Sequence, residues 1–208
     1  DMTKTYFKYP YDYSLTYPTA SSEGILLLQN NNVANKIVEQ YTERLSPLNT
    51  SLGYMNGIYN RFNSSGLLAS VYSFDNDRLA FGFVPSYASG NDIFFDQNIY
   101  TERLKVNKYD IRGNLVEQRK PNGVVSSYKW GYEARYPIAE AVNAAEDEFY
   151  VEDFEEHSGA LVGLAHSGNK FFNGAFTVNW AVPNARAYTI TYWYLDAGEW
   201  KFKSEAYS

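Results

Sequence analysis

The amino-acid sequence predicts a mostly β protein of antiparallel sheets with one short helix, and three observations carry that prediction. The first is aromatic content: 20 Tyr, 13 Phe and 4 Trp make up 18% of the 208 residues, and such side chains suit the pleated, half-buried surface of a sheet. The second is alternation. Ile37, Glu39, Tyr41, Glu43 and Leu45 fall on one side of a segment and Val38, Gln40, Thr42 and Arg44 on the other, the period-two signature of a strand. The third is the frequency of Asn and Gly between such segments, where tight turns need them.

Taken in order, residues 1–20 read as extended segments and turns, because Tyr9-Pro10 and Tyr17-Pro18 hold each Tyr out of the helical region. Ser21-Ser22-Glu23, then Ile25 to Leu28, then Asn30-Asn31-Asn32 predict the one short helix, with hydroxyls to cap its start and Asn to stop it. The strand from Lys36 follows. Ile58 to Phe62, a turn at Asn63-Ser64-Ser65-Gly66 and Leu67 to Phe74 read as a hairpin, ended by a turn at Asp75-Asn76-Asp77. Residues 85–98 read as a polar loop around Ile93-Phe94-Phe95. Ile99 to Tyr109, Asn114 to Arg119 and Val124 to Trp130 are three further strands, joined through Asp110-Ile111-Arg112-Gly113 and Asn122-Gly123; Asn-Gly is the strongest short hairpin signal. Beyond residue 156, strands are predicted over Lys170 to Val182, Arg186 to Tyr194 and Glu199 to Ala206, with turns at Pro183-Asn184 and Asp196-Ala197-Gly198.

Composition removes several function classes. The longest apolar run, Ile25 to Leu28, is far short of the roughly 20 residues that span a bilayer as a helix. A net charge of −6 argues against a nucleic-acid partner. With no Cys, there is neither a disulfide framework nor a thiolate nucleophile. Seven acids and no base fall in residues 146–156, so the remaining 24 − 7 = 17 acidic residues nearly balance the 18 basic ones. A domain boundary is placed at this shift, dividing the chain into residues 1–144 and 145–208. The thin second piece reads as part of a β-sandwich, and the whole as a piece of a longer chain.

Tyr109-Asp110-Ile111-Arg112-Gly113-Asn114-Leu115, then Asn122-Gly123, then Tyr128-Lys129-Trp130-Gly131-Tyr132 resembles the YD repeat of Rhs-type proteins. Lys8 to Tyr13 and Tyr132 to Ala139 are similar to segments of large bacterial secreted or cell-surface YD-repeat proteins, so the resemblance covers roughly residues 6–144. One full YD unit is present, and the C-terminal core that carries self-cleavage in toxin-bearing members has no match. The resemblance implies a YD-repeat-like antiparallel sheet for residues 1–144. Residues 149–207 resemble the opening of the carbohydrate-binding-like jelly-roll modules that follow such repeats, which makes residues 145–208 an incomplete sandwich of that kind. The function implied is a non-enzymatic structural or adhesive segment of an extracellular or cell-surface bacterial protein. Its partners would be other segments of the parent chain or a larger assembly, together with glycan. The alternatives are a wall segment of a polymorphic-toxin shell, or a secretion substrate or partner within a larger assembly. An exposed aromatic row beside Trp193 or Trp200 would favour the adhesin; a concave Tyr-lined sheet with open edges would favour the shell.

The candidate chemistry is sparse. Asp153 and Glu155, on one face of a strand, would stand about 7 Å apart, within the span that glycoside hydrolysis uses; a solvated linker is the more ordinary reading of so many acids. Asp153, Glu155 and Glu156 are also candidate calcium ligands, since that ion takes hard oxygen donors and the modules resembled here often hold one. His157 and His166 lack the spacing of a zinc motif, and no Gly-x-Ser-x-Gly elbow marks a nucleophile, so no catalytic residue is assigned. Tyr192, Trp193, Tyr194 and Trp200 are candidate ligand-binding residues, because sugar faces stack on aromatic rings. Alternation sends Tyr192 and Tyr194 to one face and Trp193 to the other, one set being core and the other free to stack.

Overall fold

The structure is a computed structural model that describes residues 2–121 and 123–207, without the side chains of Asn76 and Asp77. The protein is mostly β, with 46% of residues in strands and 5% in helix, and the strand pairings whose register is described are antiparallel. No helix among the described residues is long and apolar enough to cross a membrane. The chain divides into two compact units, Asp1–Gly123 and Val124–Ser208. That division falls before the acid-rich segment where the composition changes.

The first unit is a sheet over which its own loops fold. Its strands are β1 (Met2–Lys8), β2 (Glu39–Leu45), β3 (Ser51–Phe62), β4 (Leu68–Ala80), β7 (Thr101–Tyr109) and β8 (Leu115–Arg119), hydrogen-bonded in that order. The small hairpin of β5 (Tyr87–Ser89) and β6 (Asp92–Phe94) lies between β4 and β7 in the chain and pairs only with itself. Strand β2 follows its alternation: Glu39, Tyr41, Glu43 and Leu45 are buried and the residues between them are not. The β3–β4 turn is held by the Asn63 carboxamide oxygen, which accepts the Ser65 N–H at 2.9 Å and the Leu67 N–H at 3.0 Å. The expected turn at Asp75-Asn76-Asp77 does not form. Strand β4 runs on to Ala80, and the extra residues are absorbed as a bulge: Asn56 pairs with Asp75 while Tyr54 pairs with Ala80. Of the Asn122-Gly123 turn, Asn122 lies outside the described residues.

Helix α1 (Glu23–Asn30) is the predicted helix, and it buries Gly24, Ile25, Leu26 and Leu28. Ser22 stands at its N-cap without making a capping bond; its buried hydroxyl instead accepts the Thr19 N–H at 3.1 Å. The core combines this helix with sheet and loop residues, Tyr13, Ile25, Val38, Tyr41, Tyr59, Phe74, Phe83, Ile93 and Tyr100 among them. Rings meet edge to face, as Phe74 and Tyr100 do at 5.2 Å, an arrangement that suits the aromatic quadrupole. Gly57 makes room for this. A Cβ there would lie 2.7 Å from the Tyr100 hydroxyl, so only glycine lets the Phe74 and Tyr100 rings lie on the sheet.

The second unit consists of three hairpins joined by irregular chain. The first pairs β9 (Val125–Gly131) with β10 (Tyr136–Val142), the second β11 (Leu161–Val162) with β12 (Lys170–Phe171), and the third β13 (Tyr188–Asp196) with β14 (Glu199–Tyr207). Of the strand expected over Lys170 to Val182, only β12 forms; residues 172–187 carry no ladder. The β13–β14 turn is the predicted one. Ala197 and Gly198 both take positive φ, 53° and 86°, as a two-residue primed turn needs.

Candidate functional site

The β13–β14 register decides which aromatic side chains share a face, since directly opposed residues point the same way. Trp193 opposes Phe202 and Leu195 opposes Trp200, so these four lie together, with Thr191 and Ser204 next in line. Tyr192 opposes Lys203 and Tyr194 opposes Lys201 on the reverse face. The structure therefore brings Trp193 and Trp200 together and sets Tyr192 and Tyr194 apart from them. Neither face is sealed in a core: Trp193 is 47% exposed, Phe202 56% and Tyr194 40%.

The two faces differ in chemistry. On the reverse face Tyr192 donates to Glu205 at 3.0 Å, Lys203 pairs with Glu205 at 2.8 Å and Lys201 with Asp196 at 2.5 Å. Hydrogen bonds from Lys203 and Tyr192 hold the Glu205 carboxyl below its ordinary range. The Trp193 face carries no charged residue of its own hairpin from Thr189 to Leu195 or from Trp200 to Ala206. Its rings meet at 5.4 Å between Trp193 and Phe202. The tip of the β11–β12 hairpin reaches this face. His166 stacks on Trp193 with ring centroids 3.9 Å apart and planes 13° apart, and meets Trp200 edge-on at 5.7 Å. Sequence reasoning missed Leu195, Phe202 and His166. Period two in Glu199 to Tyr207 was enough to find Phe202, whereas His166 arrives from a separate hairpin and left no local signal.

The acid-rich segment is used differently from a ligand cluster. Residues 143–160 form no strand, so the spacing that would set Asp153 and Glu155 about 7 Å apart on one face is not made. Each carboxylate turns to a backbone of its own. Asp153 accepts the Glu155 N–H at 3.1 Å, Glu155 accepts the Asn169 and Lys170 N–H groups at 2.5 and 3.0 Å, and Glu156 accepts those of Tyr132 and Glu133. Glu148 accepts the Ala145 N–H and pairs with Arg186 at 2.9 Å. The backbone bonds hold Glu148 and Glu155 below the usual carboxylate range. Among the described residues no three His, Cys, Asp or Glu side chains converge to hold a metal ion. His157 and His166 are not brought together. The imidazole of His157 sits among Phe154, Phe172 and Phe176, with centroids 5.3 to 5.9 Å away and its Nδ1 buried without a partner.

One further polar constellation was not foreseen. Glu39 accepts the Ser86 N–H at 2.8 Å, the Ser86 hydroxyl at 2.7 Å and the Tyr100 hydroxyl at 3.0 Å, and Tyr13 bonds Ser86 Oγ at 2.6 Å. Burial raises the Glu39 pKa, against the pull of these hydrogen bonds and of the Lys8 charge. A perturbed carboxylate beside a serine resembles an activated pair. Here both residues have 0% exposure, so the group joins loop to sheet where solvent and substrate do not reach. No protein-family model and no curated protein matches this chain.

Proposed function

We propose that the chain is a non-enzymatic structural and adhesive segment of a large secreted or surface-exposed bacterial YD-repeat protein, and that it holds glycan on the Trp193 face of β13–β14. The observation that carries this reading is the uncharged aromatic row of exposed Trp193 and Phe202 beside half-buried Trp200, flanked by the hydroxyls of Thr191 and Ser204. Apolar sugar faces stack on such rings while neighbouring hydroxyls hydrogen-bond the sugar rim.

The YD-repeat kinship draws support from the Tyr109-Asp110 turn. Asp110 accepts the N–H groups of Arg112 and Asn114 at 2.8 Å each and the Asn114 side-chain amide at 2.9 Å, and the Tyr109 hydroxyl donates to the Leu68 carbonyl at 2.6 Å. Burial pulls the Asp110 pKa up, but these hydrogen bonds outweigh it and the net direction is down. The Tyr-rich face of β1–β4, which a toxin shell would leave open, is covered by Phe83, Ile93, Phe95 and Tyr100 of the same unit. That weighs toward the adhesive reading.

The test is a glycan-array screen of the full chain with Trp193→Ala, Trp200→Ala and Tyr194→Ala beside it. Saturable binding that is lost in Trp193→Ala and kept in Tyr194→Ala is expected. Binding that survives Trp193→Ala, or no binding by any form of the folded chain including the opened variant below, would sink the glycan reading.

A further inference from the structure

The ring face of Trp193 on which a sugar would stack is already occupied. His166 lies parallel to the indole at 3.9 Å, the separation a stacked pyranose ring would itself take. We infer that the loop joining β11 to β12, residues 163–169, is a self-occluding lid on the glycan face, with His166 as the plug that ligand must displace. This inference rests on the glycan reading above and adds how that site is regulated.

Two features make the loop a lid and not a fixed wall. His166 is itself exposed, as are Leu164, Ser167, Gly168 and Asn169 around it, so little buried surface holds the tip in place. Among the described residues its hydrogen bonds lie at its base, where Gly163 donates to the Asn169 carbonyl at 3.1 Å, Ala165 donates to the Gly163 carbonyl at 2.9 Å and Glu155 accepts the Asn169 and Lys170 N–H groups. Gly163 and Gly168 let this base pack closely, since a Cβ at Gly163 would lie 3.0 Å from the Phe171 ring and one at Gly168, where φ is 72°, would press on the Glu155 carboxylate. The base is therefore clamped by a carboxylate, while the tip meets the hairpin through the His166 ring. No charged residue of the hairpin's Trp193 face meets His166; the facing groups are Trp193 and Trp200, and the hairpin's charges stand on the reverse side.

A ligand that needs the open form binds with its intrinsic affinity reduced by the open fraction. A stacked aromatic pair holds the closed form by a factor of about 2 to 10. Truncating the plug should therefore tighten glycan binding about 2- to 10-fold, whereas Phe in its place, keeping the stack, should leave binding weak. The experiment compares the full chain, His166→Ala and His166→Phe by acrylamide quenching of tryptophan fluorescence and by titration of whatever glycan the array selects. His166→Ala should raise quenching, a rise that disappears in a Trp193→Phe background, and should tighten binding; His166→Phe should resemble the parent in both. Unchanged quenching in His166→Ala with unchanged affinity would overturn the lid and leave the glycan reading standing. Weaker binding by His166→Ala would also overturn it, making His166 part of the platform. Raised quenching with no glycan bound by any of the three would remove the glycan reading and the regulation with it.

Discussion

Glu39 shows how one residue can hold a loop to a sheet. Its carboxylate is fully buried and collects three hydrogen bonds, two of them from Ser86, whose carbonyl in turn accepts from the Lys8 ammonium. Removing it leaves the Ser86 N–H and the Tyr100 hydroxyl buried without an acceptor, at about 1–3 kcal/mol each. Glu39→Ala is thus expected to destabilise the first unit by about 3 kcal/mol in urea unfolding. The pH dependence carries a definite sign. Burial raises the folded-state pKa, so the stability Glu39 contributes is complete below its unfolded value of about 4.3 and is lost as pH rises through the folded value. Glu39→Gln should flatten the first unit's loss of stability as pH rises above about 4.3; an unchanged pH profile in that variant would assign the dependence elsewhere. The sequence made half of this legible. Alternation put Glu39 inward beside Tyr41 and Leu45, but Ser86 and Tyr100 come from a distant loop, and no local pattern announces a partner 47 residues away.

At the level of elements, the strands with period-two patterning formed where the sequence placed them, and the failures have physical causes. The Asp75-Asn76-Asp77 run has turn composition, yet the ladder to β3 tolerates a bulge and the strand continues. Lys170 to Val182 has strand composition but finds only the two-residue β11 as a partner, so backbone groups there look elsewhere. The acids of residues 146–156 supply part of that need and act as staples where a solvated linker was expected. The β9–β10 turn is the sharpest case. Tyr132, Glu133 and Ala134 all take positive φ, near 54–58°, at roughly 1 kcal/mol each, and Glu156 holds the Tyr132 and Glu133 N–H groups of that turn. Ala134→Gly should stabilise the second unit by about 1 kcal/mol, and Glu156→Ala should destabilise it by about the same amount. Denaturant unfolding followed by tryptophan fluorescence measures both, with Trp130 of β9 close to the turn. A destabilised Ala134→Gly would mean that the backbone there is not under strain.

Across the whole molecule the carboxylates divide into lowered acids, found in both units, and one raised acid, Glu39 of the first. In the second unit Glu148, Glu155 and Glu205 are held low, the first two chiefly by backbone N–H groups and the third by Lys203 and Tyr192. A lowered acid contributes above its unfolded pKa of about 4.3 and is lost as pH falls through the folded value. In the first unit the exposed Asp92 and the half-buried Asp110 are lowered in the same way, whereas Glu39 is fully buried and shifts the other way. Acid should therefore loosen the second unit, whereas in the first the shift of Glu39 opposes those of Asp92 and Asp110. The chain offers a way to see this, because all four tryptophans, Trp130, Trp180, Trp193 and Trp200, belong to the second unit. Denaturant unfolding followed by tryptophan fluorescence reports that unit alone, and backbone circular dichroism reports both. Between pH 7 and about pH 3 the fluorescence midpoint should fall relative to the part of the circular-dichroism transition that fluorescence does not see. Coincident midpoints at both pH values would mean that the units unfold as one, and a fluorescence midpoint that rises on acidification would remove the carboxylate staples as the source of the second unit's stability.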